Sequence, residues 1–246
     1  MEFGSFMEFH TREDQSQSRA FEESFHHVSL AEKLGLDTVW LAESHFNPAR
    51  SVLSAPLVIA AAIAGRTKRI RIGTAVQVLP LGNPIRIAEE VATLDHISGG
   101  RFEFGIGRSG LPGAYEGYNI PYGESRERFF ESLEIITEAF TKDHFTYSGK
   151  FHSYEDVCLT PKPLQKPHPP MWVAVTSPGT ELDAGDRGIG NARRLMRVAV
   201  AFRLELDAVF ALAVLRLVPG GRQDRRAVRE FRQPLVLLRV TAGLEQ

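Results

Sequence analysis

A carboxylate, a hydroxyl and an imidazole stand side by side at Glu43-Ser44-His45, directly after the apolar run Asp37–Ala42. Imidazole is the side chain that exchanges protons near neutral pH, whereas serine can hydrogen-bond there but cannot act as a base. His45 is therefore a candidate for proton handling, or else for orienting Glu43. Arg108 lies just past a second run, Arg101–Ile106. A guanidinium at the end of a strand can grip a phosphate through two parallel hydrogen bonds. The plainer reading of Arg108 is a solvated loop arginine. Ser177-Pro178 has the form of an N-cap followed by a first-turn proline, and a helix starting there would turn free N–H groups toward a phosphate. Gly105, Gly107 and Gly110 fit GxGxxG, but that fingerprint must open directly into a helix. Here LPGAYEGYNIPYG intervenes, so the glycines suit a mobile loop instead. His26-His27, His96, His144, His152 and His168 form no metal-ligand pattern.

The elements that must position these residues alternate between short β-like and longer helix-like runs. Glu2–Phe9, Asp37–Ala42, Ile70–Val78, Arg101–Ile106 and Pro170–Val175 read as strands. The third is nearly continuous in β-branched and small residues, as a strand covered on both faces would be. Between them, Ala20–Leu34, Leu53–Gly65, Pro84–Ile97 and Glu124–Phe140 carry apolar residues at helical spacing. Gly35 is placed to end the first helix, and Asn83-Pro84 and Gly99-Gly100 bracket the third. A hairpin is expected around Tyr147-Ser148-Gly149-Lys150-Phe151. This β-α-β-α order implies right-handed parallel crossovers, hence an α/β fold of (β/α)₈ barrel type. Five units fill about 180 residues, and three more at that spacing would need roughly 108. Only 66 remain, so the expected barrel is incomplete, with about five units.

Net charge of −1 gives no reason to expect nucleic acid or an anionic membrane as partner. The N-terminus has no signal-peptide pattern, and Arg203, Glu205, Asp207 and Arg216 interrupt the most apolar stretch, Val198–Val218. The expected compartment is the cytoplasm. The single cysteine, Cys158, excludes an internal disulfide and reads as a small buried residue. Composition divides the chain into 1–180 and 181–246. The second part holds twelve arginines against eight acidic residues, and no lysine, histidine, serine or tyrosine. Its Arg/Leu/Val/Ala-rich sequence is what a frame change in GC-rich coding DNA would give; a divergent helical cap, with a helix over 188–210, is the alternative.

Four segments carry a resemblance. They are LDTVWLAESHF (36–46), RIGTAVQVLPLGNPIRIAEEVATLDHISGGRFEFGIGR (71–108), GESRERFFESLEII (123–136) and PKPLQKPHPPMWVAVTSPGT (161–180). Together, in order and correctly spaced, they resemble the bacterial-luciferase-like flavin monooxygenases over residues 1–180. The resemblance implies a (β/α)₈ barrel binding flavin at the C-terminal ends of its strands. Reduced FMN, delivered by diffusion from a separate reductase, would react there with O₂ to give a C4a-hydroperoxide that oxidises a small organic substrate. A related branch uses a deazaflavin and transfers hydride.

The same resemblance places Ala75-Val76 against the flavin ring, in a peptide that is often cis in the family. It assigns Arg108, Thr176, Ser177 and Thr180 to the flavin phosphate. It places Glu43, Ser44 and His45 at the proton-handling position, where the family commonly has Glu-His-His-Phe and this chain has serine at the first histidine. Gly107 stands where the luciferases have cysteine, which argues against light emission. A homodimer is implied on the same footing. The family also includes a shortened flavoprotein with an incomplete barrel. A flavin-binding protein without turnover, or a folding-impaired product, is therefore an alternative to an active enzyme.

Overall fold

Local chemistry sets most of the helix ends. Ser16 caps α1 (Gln17–Lys33) by accepting the Arg19 N–H at 3.2 Å. Gly35 (φ +87°) lets the chain reverse as the N–H of Leu36 bonds back to Ala31 O at 3.0 Å. Proline opens α2 (Pro56–Arg66) and α3 (Pro84–Ile97), and Asn83 caps the latter through the N–H of Arg86 at 3.1 Å. A short α4 (Pro112–Gly117) and the long α5 (Ser125–Thr141) follow.

The computed structural model describes residues 2–12, 15–174 and 211–214. Its strands are β1 (Glu2–Met7), β2 (Thr38–Leu41), β3 (Arg71–Thr74), β4 (Gln77–Val78), β5 (Phe102–Gly107), β6 (Phe145–Ser148), β7 (Ser153–Val157), β8 (Met171–Val173) and β9 (Ala211–Val214). β1, β2, β3, β5 and β8 pair in parallel, each with the next. β4 continues along the same side of β5 as β3, pairing Gln77 with Ile106. This is an α/β barrel arc built in chain order. On the far side of β1 lies β9, antiparallel, with Ser5 opposite Ala211.

Alternation along the strands divides their residues between two faces. Val39, Leu41, Ile72, Phe102, Phe104 and Ile106 are fully buried in one large apolar cluster with the helices. Each contributes about 1.5–3 kcal/mol. The opposite face gathers Trp40, Trp172, Phe6 and Ala75. Trp40 and Trp172 meet edge to face at 5.7 Å, and Trp172 Nε1 donates to Glu103 at 2.6 Å. Gly73 leaves room for this layer, because a Cβ there would lie 2.3 Å from the Trp40 ring.

The structure departs from the sequence expectations at four points. The third strand is not continuous: β3 ends at Thr74, and the Ala75–Val76 peptide is cis before β4 begins. The stretch after β5 is not a plain loop, since α4 forms within it. Gly105 and Gly107 lie inside β5 itself rather than in a mobile loop. Cys158 is exposed rather than buried, and Leu159 takes the buried position next to it. The expected hairpin forms as β6–β7, its turn held by three N–H groups donating to Glu131. The helix expected over 188–210 lies outside the described residues.

Candidate active site

The C-terminal ends of β2, β3, β4 and β5 share one rim, and hydrogen bonds tie them together. Beyond β2, Glu43 accepts from the Val78 N–H at 2.9 Å through one oxygen. Its other oxygen meets His45 Nε2 at 2.7 Å, and the two side chains are only 4% and 6% exposed. Glu43 thus reaches two residues past the cis Ala75–Val76 bond, while the Ala75 N–H donates to Leu41 O at 2.6 Å. Val76 packs on β5: a Cβ on Gly107 would stand 2.6 Å from its methyl. Arg108 follows immediately, its carbonyl accepting from the hydroxyl of Tyr115 in α4. Among the described residues its guanidinium has no hydrogen-bond or ion-pair partner.

The rim therefore brings together Glu43, His45, Ala75, Val76 and Arg108. Ser44 is there too, but it faces a different neighbourhood. It lines a cavity of about 230 Å³ with Gln17, Phe46, Asn47, Pro48 and Ser51 among others. Thr176, Ser177 and Thr180 lie outside the described residues.

Three turns leaving this rim hold non-glycine residues in left-handed conformations: Phe9 (φ 52°), Phe46 (φ 56°) and Ser109 (φ 60°). Each costs roughly 1–2 kcal/mol and persists only where surrounding contacts fix it. Around Phe46 those contacts are visible. Its ring packs on His45 at 5.9 Å and on Tyr118 at 5.3 Å, and a Cβ at Gly117 would stand 2.1 Å from it.

The sequence reading missed two tyrosines from α4 and its C-terminal end. Tyr115 is fully buried, and burial followed by the nearby Tyr122 pushes its phenol up to about 12. Tyr118 reaches His45 Nδ1 at 3.3 Å with the rings edge to face at 5.1 Å. Burial and then the Glu43 carboxylate raise its pKa as well. Both phenols accordingly stay protonated across the physiological range. Aromatic clustering in LPGAYEGYNIPYG was the available signal, but a loop sequence does not reveal which strand end it covers. Beside the rim, Glu8 binds Arg50 at 2.6 Å and His10 at 3.3 Å.

Comparison with known proteins adds a lineage to this geometry. A family model described as luciferase-like monooxygenase matches residues 1–193. The protein y4wF of Sinorhizobium fredii is 35% identical over 233 residues, covering 89% of this chain and 67% of that protein. The oxygenase component of a flavin-dependent trigonelline monooxygenase from Acinetobacter baylyi is 29% identical over 191 residues, covering 76% of this chain and 52% of its own length. Among solved structures, the monooxygenase RslO1 of Streptomyces bottropensis superposes with a TM-score of 0.75 at 31% identity, covering 82% of this chain and 61% of that one. The chain spans between about half and two thirds of the length of these relatives.

Proposed function

The chain belongs to the luciferase-like monooxygenase family, and from that membership we propose that its strand-end rim binds reduced FMN and uses O₂ to oxidise a small organic molecule. One observation carries the reading. A buried Glu43–His45 pair, the Ala75–Val76 step and Arg108 converge on the same rim, and Arg108 has no counter-charge among the described residues. A flavin phosphate fits that cation, since a bidentate guanidinium–phosphate pair contributes about 1.5–3 kcal/mol. Gln77 adds a second point of fit. Its buried Oε1 has no hydrogen-bond partner, and the ring N–H of a flavin would satisfy it.

In this reading Arg108, aided by Thr176, Ser177 and Thr180, holds the phosphate. Ala75 and Val76 lie against the ring. The Glu43–His45 pair handles protons, and the Ser44 hydroxyl is available for hydrogen bonding in the cavity beside the rim. The flavin, when bound, supplies the electrons that activate oxygen. That a relative is named as an oxygenase component supports a separate reductase that delivers reduced flavin by diffusion. A homodimer and a cytoplasmic setting belong to the same proposal. No helix among the described residues is long and apolar enough to cross a membrane.

A second reading is flavin binding without turnover, which the serine at position 44 favours because it cannot act as a base. A deazaflavin in place of FMN is the corresponding alternative cofactor. Oxygen uptake distinguishes these readings. Given reduced FMN, ¹⁸O₂ and a panel of aldehydes and ketones, a monooxygenase places one labelled oxygen atom in a product. Flavin retention with no labelled product supports the binding-only reading.

A further inference from the structure

We propose that Tyr118 is the exposed end of a Glu43–His45–Tyr118 proton relay, and that its hydroxyl, not His45, exchanges the proton with the bound flavin or substrate. The inference rests on the rim being the flavin site proposed above. An ionised carboxylate only accepts hydrogen bonds, so the 2.7 Å contact with Glu43 places the proton of the neutral imidazole on Nε2. Glu43 cannot turn away, because Val78 N–H holds its second oxygen. Nδ1 is then the acceptor, and the Tyr118 hydroxyl 3.3 Å away is its donor. Both ring nitrogens of His45 are thereby occupied.

Exposure decides which member meets a ligand. The side chains of Glu43 and His45 are almost wholly buried, whereas Tyr118 is 44% exposed. A molecule in the rim reaches the hydroxyl before it reaches the imidazole. The edge-on ring contact with His45 and the packing of Phe46 against both rings fix the direction of that hydroxyl.

The transfer balances without any further reagent. An O–H or N–H bond of the ligand breaks as its proton joins Tyr118 Oη. The tyrosine's own proton passes to His45 Nδ1, and the resulting imidazolium pairs with the Glu43 carboxylate. The phenol is neutral before and after, and the reverse sequence returns the proton. Such a relay resolves what Ser44 leaves open: the serine cannot serve as a base, and the histidine that can lies behind a tyrosine.

The test compares wild type with Tyr118→Phe, which keeps the ring and removes the hydroxyl. In ¹⁵N-histidine spectra of the flavin-free protein, the variant is expected to shift the His45 Nδ1 resonance while Nε2 stays protonated. FMN affinity should change less than about twofold, and kcat should fall about a hundredfold with KM little altered. An unmoved Nδ1 resonance, or turnover equal to wild type, overturns the proposal. A wild-type protein that binds no flavin while showing the Tyr118-dependent resonance overturns the flavin reading, and the proton handover with it. The hydrogen bond alone would survive that result.

Discussion

At the residue scale, the rim depends on a few polar groups whose partners fix their charge. Glu8 is held below its ordinary 4.5 by its hydrogen bond with His10, with Arg50 adding to this against the opposing effect of burial. His10 is raised above 6.5 chiefly by its hydrogen bond with Glu8. The signs follow from linkage. The Glu8 contribution is complete above pH 4.5 and is lost as pH falls through its lowered value. That of His10 is complete below pH 6.5 and is lost as pH rises through its raised one. His10→Asn should therefore lower the urea midpoint most between about pH 4.5 and 6.5. The two proteins should converge at higher pH, and a difference that stays constant up to pH 9 would contradict the pairing. Glu43, His45 and Arg108 were legible as candidates, because each stands just beyond a strand-like run. Tyr118 was not. It meets His45 across 73 positions of chain, and no local pattern encodes that contact.

At the element scale, legibility followed the strength of the stop and start signals. α3 runs from Pro84 to Ile97, as expected from Asn83-Pro84 before it and Gly99-Gly100 after it. Ile, Val and small residues continue through the third strand without a break, so the sequence predicts a single run. The division into β3 and β4 is made by a peptide geometry that residue type does not announce. α4 carries no helical signal in the sequence, because six residues are too few for an apolar period to emerge. The Asn83 cap gives a direct check. Asn83→Ala removes the bond to Arg86 N–H and the 3.2 Å contact with the Tyr154 hydroxyl. It should cost about 1 kcal/mol in urea unfolding, the usual worth of such a cap. A neutral result would mean that proline alone sets the start of α3.

At the scale of the whole molecule, five parallel strands in chain order form an arc whose inner face is tightly packed around two tryptophans. Alternation and crossover rules made that arc readable from the sequence. The arrival of β9 antiparallel to β1 was not readable, since the Arg- and Leu-rich composition of 181–246 carries no clear strand signal. Gly73 tests the inner packing. With Trp40 only 2% exposed and a Cβ clashing at 2.3 Å, Gly73→Ala should destabilise the fold by about 1–3 kcal/mol. Unchanged thermal unfolding would show that the Trp40 layer is looser than described.

The central claim is that this arc still presents a working flavin site at its rim. Equilibrium titration with FMN and reduced FMN, followed by flavin fluorescence, tests it most directly. The account predicts saturable binding to the wild-type chain and a dissociation constant raised roughly 10- to 150-fold by Arg108→Ala, the counterpart of losing about 1.5–3 kcal/mol. Absence of binding at high micromolar flavin, or binding indifferent to Arg108, would contradict it.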